Sequence, residues 1–273
     1  MRIAYQGEPG AYSEAAALHF GGPDVETLPC KTFDEVFEAV VKKRATHGVV
    51  PLENSIGGTI HRNYDLMLDH ELGITGEVEL DIVHCLQALP GTSISDVKIV
   101  YSHPQALAQC ERYLKGLGVT VEAVYDTAGG AKLVSEQKLK GAAALASRRA
   151  AQVFGLEVLQ DAVQDFEYNI TRFAIIGGIP PADANKTTIV FALPSTPGAL
   201  FKALSVFALR DINLTKLESR PMRGSPWEYL FYVELDARRD DLGCARALTH
   251  LAEFAKWTRT LGSYKGAERK TAT

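Results

Sequence analysis

The residues best equipped for chemistry in this chain stand in the run Asn169-Ile170-Thr171-Arg172-Phe173, which leads into the apolar Ala174-Ile175-Ile176. A hydroxyl and a guanidinium are neighbours where a strand begins. Strand ends facing a crevice are where open α/β sheets take ligands. A Thr hydroxyl can donate a hydrogen bond to a departing oxygen. An Arg fork can hold a carboxylate by two parallel bonds. A strand carrying a surface Arg has the same pattern, so the weight of this run comes from four other polar loops.

Each of those loops joins a strand to a helix. Gln6-Gly7-Glu8-Pro9-Gly10-Ala11-Tyr12-Ser13 runs into a helix N-terminus, where anions are favoured. Pro51-Leu52-Glu53-Asn54-Ser55-Ile56-Gly57-Gly58-Thr59 follows a second strand. Tyr101-Ser102-His103-Pro104-Gln105 follows a third, with Gln109 further along its helix, and Tyr125-Asp126-Thr127-Ala128-Gly129-Gly130 follows a fourth. One such loop is an ordinary turn and helix cap. Four of them, rich in small residues and in amide or hydroxyl donors, suggest the lining of a site.

The absences narrow the chemistry. Metal-ligand spacing, a phosphate-binding loop and a nicotinamide fingerprint are all missing, so no metal and no cofactor is expected. Ser102-His103 is no nucleophile–base pair, because adjacent strand residues point to opposite faces. A site of Thr, Ser, Asn, Gln and one Arg suits a small anion and a reaction driven by charge placement and hydrogen bonding.

The elements that must position these residues follow from the hydrophobic pattern. Strands are expected at Arg2–Gln6, Val25–Cys30 and Gly48–Leu52, with helices near Ser13–Phe20 and His61–Leu68. Thr32-Phe33-Asp34-Glu35 is a capping box, in which the Thr hydroxyl caps the helix and Glu35 reaches back. Ile74–Val83 alternates and is long enough to pass between two lobes. A second series follows: Lys98–Tyr101, a helix from Pro104 through Leu114, Thr120–Tyr125, a helix capped by Asp126-Thr127, Ala142–Ala146, and a helix from Ser147 to Gly155. This order predicts mostly parallel sheets. After a linker-like Gly177–Asn185 the pattern becomes βαββαβ, a ferredoxin-like unit, with a turn at Met222–Pro226 and a fraying tail at Lys265–Thr273.

Composition agrees with a globular α/β protein. The chain has 273 residues, 46% hydrophobic and 23% charged, with a net charge of −4. That charge offers no footprint for nucleic acid, and no apolar run approaches a membrane span. The four scattered cysteines, Cys30, Cys85, Cys110 and Cys244, read as idle thiols of a reducing compartment.

Taken in order, the motifs AYQGEPGAYSE (4–14), VPLENSIGGTI (50–60), YSHPQALAQC (101–110), DTAGGA (126–131) and NITRF (169–173) resemble those of the prephenate/arogenate dehydratase family. PGALF (197–201) and ESRP (218–221) resemble an ACT regulatory domain. IHRNYDLML (60–68) and VFALRDINLTK (206–216) are closest to the plant, algal and green-sulfur-bacterial branch. The resemblance implies a two-lobed, periplasmic-binding-protein-like catalytic domain at 1–178, with lobe 1 at about 1–78 and 165–178 and lobe 2 at about 79–164. It implies an ACT domain at 186–264 and a tail at 265–273.

The same resemblance implies decarboxylating dehydration of prephenate or arogenate, controlled by phenylalanine. By motif match, Thr171 is the catalytic hydroxyl, and Asn54, Ser102, Gln109 and Glu53 are further catalytic positions. Arg172 anchors a substrate carboxylate, with Phe173, Ser13, Asp126 and Thr127 also binding substrate. Gly198, Ala199, Leu200, Glu218, Ser219, Arg220 and Pro221 take the effector at a dimer interface. A monofunctional homodimer or homotetramer is expected, in the cytoplasm or, for a mature plastid form, the stroma. Neither nucleic acid nor membrane is an expected partner. The alternative is a non-catalytic amino-acid-binding sensor, since a lobed fold also serves binding proteins.

Overall fold

The computed structural model describes residues 1–222, 224–225 and 227–267. The expected turn at Met222–Pro226 and the expected tail at Lys265–Thr273 therefore lie partly outside the described residues. The chain forms two compact units. One holds Met1–Leu66 and Val78–Ala174; the other holds Met67–Glu77 and the chain from Ile175 on. Assigning Met67–Glu77 to the second unit departs from the expected boundary, and the bonds explain it. Arg259 donates to the carbonyls of Leu68 and Met67 at 2.8 and 3.1 Å. Lys186 pairs with buried Glu77 at 2.8 Å.

The first unit carries two sheets, one per lobe. In the first lobe, Glu26–Cys30, Arg2–Gln6 and His47–Asn54 are parallel neighbours, and Ile170–Ile176 lies beside His47–Asn54. The sheet of the second lobe runs Glu157–Gln160, Cys85–Ala88, Ala142–Ala146, Ile99–Ser102, Thr120–Ala123. Its last three strands are parallel; Cys85–Ala88 and Glu157–Gln160 add antiparallel pairs that the alternating β-α pattern did not reveal. The all-buried run Ala142–Ala146 shows why parallel strands read as continuous apolar stretches. The chain crosses between the lobes at residues 82–84 and again at about 161–169, and the crossings are bonded to each other: Val163 N–H donates to the His84 carbonyl at 2.9 Å.

The helix expected from Pro104 through Leu114 is two helices, Pro104–Gln109 and Glu111–Leu117. Asp165 breaks it. Its N–H takes the Gln109 carbonyl at 2.7 Å, and its carboxylate accepts from Arg112 N–H at 3.0 Å, capping the second helix. Gln109 is thereby held at a helix end. Thr32 caps Phe33–Val41 as expected, accepting from Glu35 N–H at 3.2 Å. Glu35, however, reaches Lys31 N–H, one residue beyond the capping-box partner.

The second unit is a ferredoxin-like βαββαβ fold. Its antiparallel strands run Leu214–Pro221, Tyr229–Leu235, Lys186–Ala192, Trp257–Tyr264. Alternate residues Ile189, Phe191, Val233 and Leu235 pack beneath helices Ala199–Ala208 and Leu242–Phe254 through Ala203, Phe207, Ala247 and Leu251. No described helix is long and apolar enough to cross a membrane.

Candidate active site

A cavity of about 500 Å³ opens in the first unit, and the four loops meet there. Among its lining residues are Ser13, Asn54, Gln109, Asp126, Thr127, Thr171 and Phe173, all expected as site residues. The loop Gln6–Gly10 reaches it in a conformation that only glycine accepts comfortably: Gly10 has φ +92, and a Cβ there would sit 2.6 Å from the Ala150 Cα.

The polar groups at its floor form one buried network. Asn54 Oδ1 accepts from the backbone N–H of Ile56 and Gly57 at 3.1 and 2.7 Å, which fixes the amide's orientation. Asn54 Nδ2 therefore points at Asn169 Oδ1 (2.7 Å) and Thr171 Oγ1 (2.9 Å). An amide nitrogen only donates. Thr171 Oγ1 thus accepts at this contact, and it has no other hydrogen bond among the described residues. Its own proton remains for whatever enters the cavity. Asn169 Nδ2 in turn donates to Gln109 Oε1 at 2.9 Å, which also meets His84 Nε2 at 2.9 Å.

Asp126 lines the cavity as a brace. One carboxylate oxygen accepts from Gly129 N–H at 2.6 Å, capping its helix, and the other accepts from Glu8 N–H at 2.9 Å across the cleft. Burial raises its pKa, partly offset by these bonds. Ser13 and Thr127 stand at the starts of helices Tyr12–Gly21 and Thr127–Glu136. Their hydroxyls have no hydrogen bond among the described residues.

Three expected site residues are not brought to the lining. Arg172 alternates away from Thr171 and Phe173 on Ile170–Ile176 and pairs with Glu53 at 2.8 Å; neither lines the cavity. The strand's period of two, which sends neighbours to opposite faces, is the cause. Ser102 is fully buried and donates to the Leu145 carbonyl at 2.6 Å, so its proton serves the sheet. The sequence reading missed His84, and it named Tyr12 and Asn169 within their motifs without giving either a role. A His and an Asn bordering apolar strands were the signals available.

The second unit has a pocket of about 400 Å³, lined by Leu193, Pro197, Ala199, Leu200, Trp227 and Phe231 among others. Ala199 and Leu200 match the expected effector residues. Gly198 stands at the helix N-cap with φ +76, and a Cβ there would touch nothing, so conformation rather than crowding demands glycine. Glu218, Ser219, Arg220 and Pro221 lie on the edge strand Leu214–Pro221 and do not line this pocket within one chain.

A family model for prephenate dehydratase matches residues 3–180, and one for the ACT domain matches 187–248. "Arogenate dehydratase/prephenate dehydratase 2, chloroplastic" of Arabidopsis thaliana is 50% identical over 97% of this chain and 72% of its own length. The solved structure of a prephenate dehydratase from Arthrobacter aurescens in complex with L-Phe superimposes with a TM-score of 0.89 at 32% identity, over 100% of this chain and 92% of that one. A structure described as GqqA, a novel type of quorum quenching acylase, gives 0.90 at 36%, over 98% and 99%. With models covering both units and relatives matched along nearly the whole chain, this protein belongs to the prephenate dehydratase family and carries an ACT domain behind its dehydratase unit.

Proposed function

We propose that the chain converts prephenate to phenylpyruvate, arogenate to L-phenylalanine, or both, with Thr171 as hydrogen-bond donor to the leaving oxygen. The observation that carries this reading is the orientation of Asn54, whose Nδ2 makes Thr171 an acceptor at that contact and leaves its proton facing the cavity.

The reaction breaks two bonds. The ring carboxylate leaves as carbon dioxide and its electron pair enters the ring. The allylic C–O bond breaks with its pair on oxygen, which takes up one proton and departs as water. Aromaticity supplies the driving force, so the protein's task is the poor leaving group. A positioned donor at that oxygen is worth about 10²–10⁴-fold. The side-chain carboxylate is assigned to the helix start at Ser13, with the uncommitted Ser13 and Thr127 hydroxyls as donors; the other helix start is already capped by Asp126. The ring and its carboxylate are assigned to the apolar wall of Ile60, Ile82 and Phe173. A carboxylate held against an apolar wall is destabilised relative to carbon dioxide.

Phenylalanine is the proposed effector, with Ala199 and Leu200 in its pocket. Leu200, Phe201 and Leu217 are exposed, Phe201 at 76%. Such apolar surface on the ACT unit suits a homodimer or homotetramer contact. The proposed compartment is the cytoplasm or the plastid stroma.

The decisive experiment is steady-state kinetics of Thr171→Ala and Thr171→Ser on both substrates. The Ala variant is expected to lose kcat by about 10²–10⁴-fold with little change in KM, and the Ser variant to keep most activity. A near-normal kcat in Thr171→Ala removes the hydroxyl from the mechanism. Binding of either substrate without turnover by the wild type would identify a sensor instead.

A further inference from the structure

We infer that His84 is a positioning residue of the dehydratase site, holding Gln109 in the orientation that completes the Asn169–Asn54–Thr171 network; the inference rests on the Thr171 reading above. His84 lies in the first crossing between lobes and is 2% exposed. Its backbone is pinned on both sides, the N–H donating to Gln164 Oε1 at 3.1 Å and the carbonyl accepting from Val163. Its ring packs edge-on to Tyr12, with centroids 5.6 Å apart. A buried imidazole wedged this tightly offers one orientation to the site.

The protons can be assigned outward from the backbone. Ile56 and Gly57 fix Asn54, Asn54 fixes Asn169, and Asn169 Nδ2 fixes Gln109 with its Oε1 toward His84. An acceptor at 2.9 Å requires a proton on His84 Nε2. On the other side, Nδ1 is 3.0 Å from the Tyr12 hydroxyl, which is also 2.7 Å from the Val83 carbonyl. The three contacts Val83–Tyr12, Tyr12–His84 and His84–Gln109 need three protons. A neutral imidazole and the phenol supply two, and burial disfavours the third. Tyr12 shares its one proton between two acceptors, whereas the Nε2–H bond to Gln109 is obligatory in either charge state.

Gln109 depends on that bond. Its Nε2 meets Asn54 Oδ1 at only 3.4 Å, a weak contact, and the terminal torsion of Gln is broad. His84 and Asn169 are the two donors that hold Oε1 in place. Removing His84 frees the amide to turn and brings its nitrogen against the Asn169 donor. Asn169 then shifts, and with it the Asn54 amide that orients Thr171. His84 lines the cavity but makes no hydrogen bond to Thr171; its Nε2 is committed to Gln109, and it acts through that amide.

The test compares three variants by kinetics, circular dichroism and thermal unfolding. His84→Leu removes both ring nitrogens. His84→Gln places an amide nitrogen near the Nε2 position, and His84→Asn places one near Nδ1. The expected result is a kcat lowered about 10–10²-fold in His84→Leu with KM within about two-fold, since small misplacements of reacting groups cost that much. His84→Gln is expected to restore kcat to within about five-fold of wild type, and His84→Asn to behave as His84→Leu. A wild-type kcat in His84→Leu overturns the inference, as does equal activity of the Gln and Asn variants. If His84→Leu fails to fold, the Gln–Asn contrast decides alone. Thr171→Ala, measured beside them, separates the two readings. If it keeps wild-type kcat, the Thr171 assignment fails and this inference with it. If it is inactive while the Gln and Asn variants agree, only the positioning role falls. In a folded double variant, His84→Leu should add almost no further kcat loss to Thr171→Ala, whereas independent effects would add.

Discussion

The cavity of the dehydratase unit and the pocket of the ACT unit solve opposite problems. In the first, Asn54, Gln109, Asn169, Thr171 and His84 are each 7% exposed or less and are joined in one hydrogen-bonded network. The second is walled by Trp227, Tyr229 and Leu200, exposed at 84%, 42% and 36%. Catalysis by placed donors requires that the donors be fixed before substrate arrives, because reorganising them during the reaction adds to the barrier. Regulation has no such requirement. A ligand shifts an equilibrium only by binding one state better than another, which an open pocket that closes on its ligand can provide. One chain thus carries a finished, buried site and an open, exposed pocket.

Asn54→Asp tests whether the buried donors must be fixed before substrate arrives. The carboxylate still accepts from Ile56 and Gly57 but cannot donate to Thr171. The Thr proton then turns toward it and away from the cavity. We expect kcat to fall about 10²–10⁴-fold with the fold retained by circular dichroism. Activity near wild type would show that the orientation of Thr171 does not matter.

Gly198→Val tests the pocket of the ACT unit. Its φ of +76 is a left-handed conformation, disfavoured by about 1–2 kcal/mol for residues with a Cβ and more for a branched one. The strain falls on the helix start beside the pocket. The expected outcome is loss of the phenylalanine response in activity and calorimetric titrations. Basal kcat should stay within a few-fold of wild type, because site–site coupling is typically ~1–3 kcal/mol. Wild-type phenylalanine affinity in the variant would place the effector elsewhere.

A smaller effect is expected at the ion pair Glu53–Arg172. Because both lie off the cavity lining, Arg172→Lys should lower Tm by a few degrees, the scale of a weakened ion pair of about 1 kcal/mol, and leave KM nearly unchanged. A ten-fold rise in KM at unaltered Tm would put Arg172 back on the substrate.

That last residue also marks how far the sequence could be read. The strand–helix order, the caps at Thr32, Asp126 and Ser147, and the convergence of four loops were all legible, since each depends on local pattern. The alternation rule that separates Ser102 from His103 applies equally to Thr171 and Arg172, and it places only Thr171 in the cavity. What local pattern could not supply was partnership across the chain. Asp165 splitting the helix after Gln109, Leu145 taking the Ser102 proton, and His84 meeting Gln109 involve residues 25 to 56 positions apart. The strands Cys85–Ala88 and Glu157–Gln160 escaped for the same reason: they are short, and each is defined by its neighbours.

The smallest predicted effect is thermodynamic and isolates the cost of the finished site. Burial lowers the pKa of His84 below its ordinary value of 6.5. The unfolded chain therefore binds a proton that the folded chain resists, and stability falls as pH drops below about 6.5 until the folded-state pKa is reached. His47 and His103 are shifted in the same direction by burial and add to the slope. His84→Gln should flatten, without abolishing, the decline of Tm between about pH 7 and pH 5, since one of three contributing groups no longer titrates. The measurement is Tm against pH for wild type and variant at fixed ionic strength. An unchanged slope would mean that His84 becomes doubly protonated in the folded protein and supplies the third proton that the three contacts need. The imidazolium would then satisfy Val83, Tyr12 and Gln109 together, so that hydrogen bonding outweighs burial at this site.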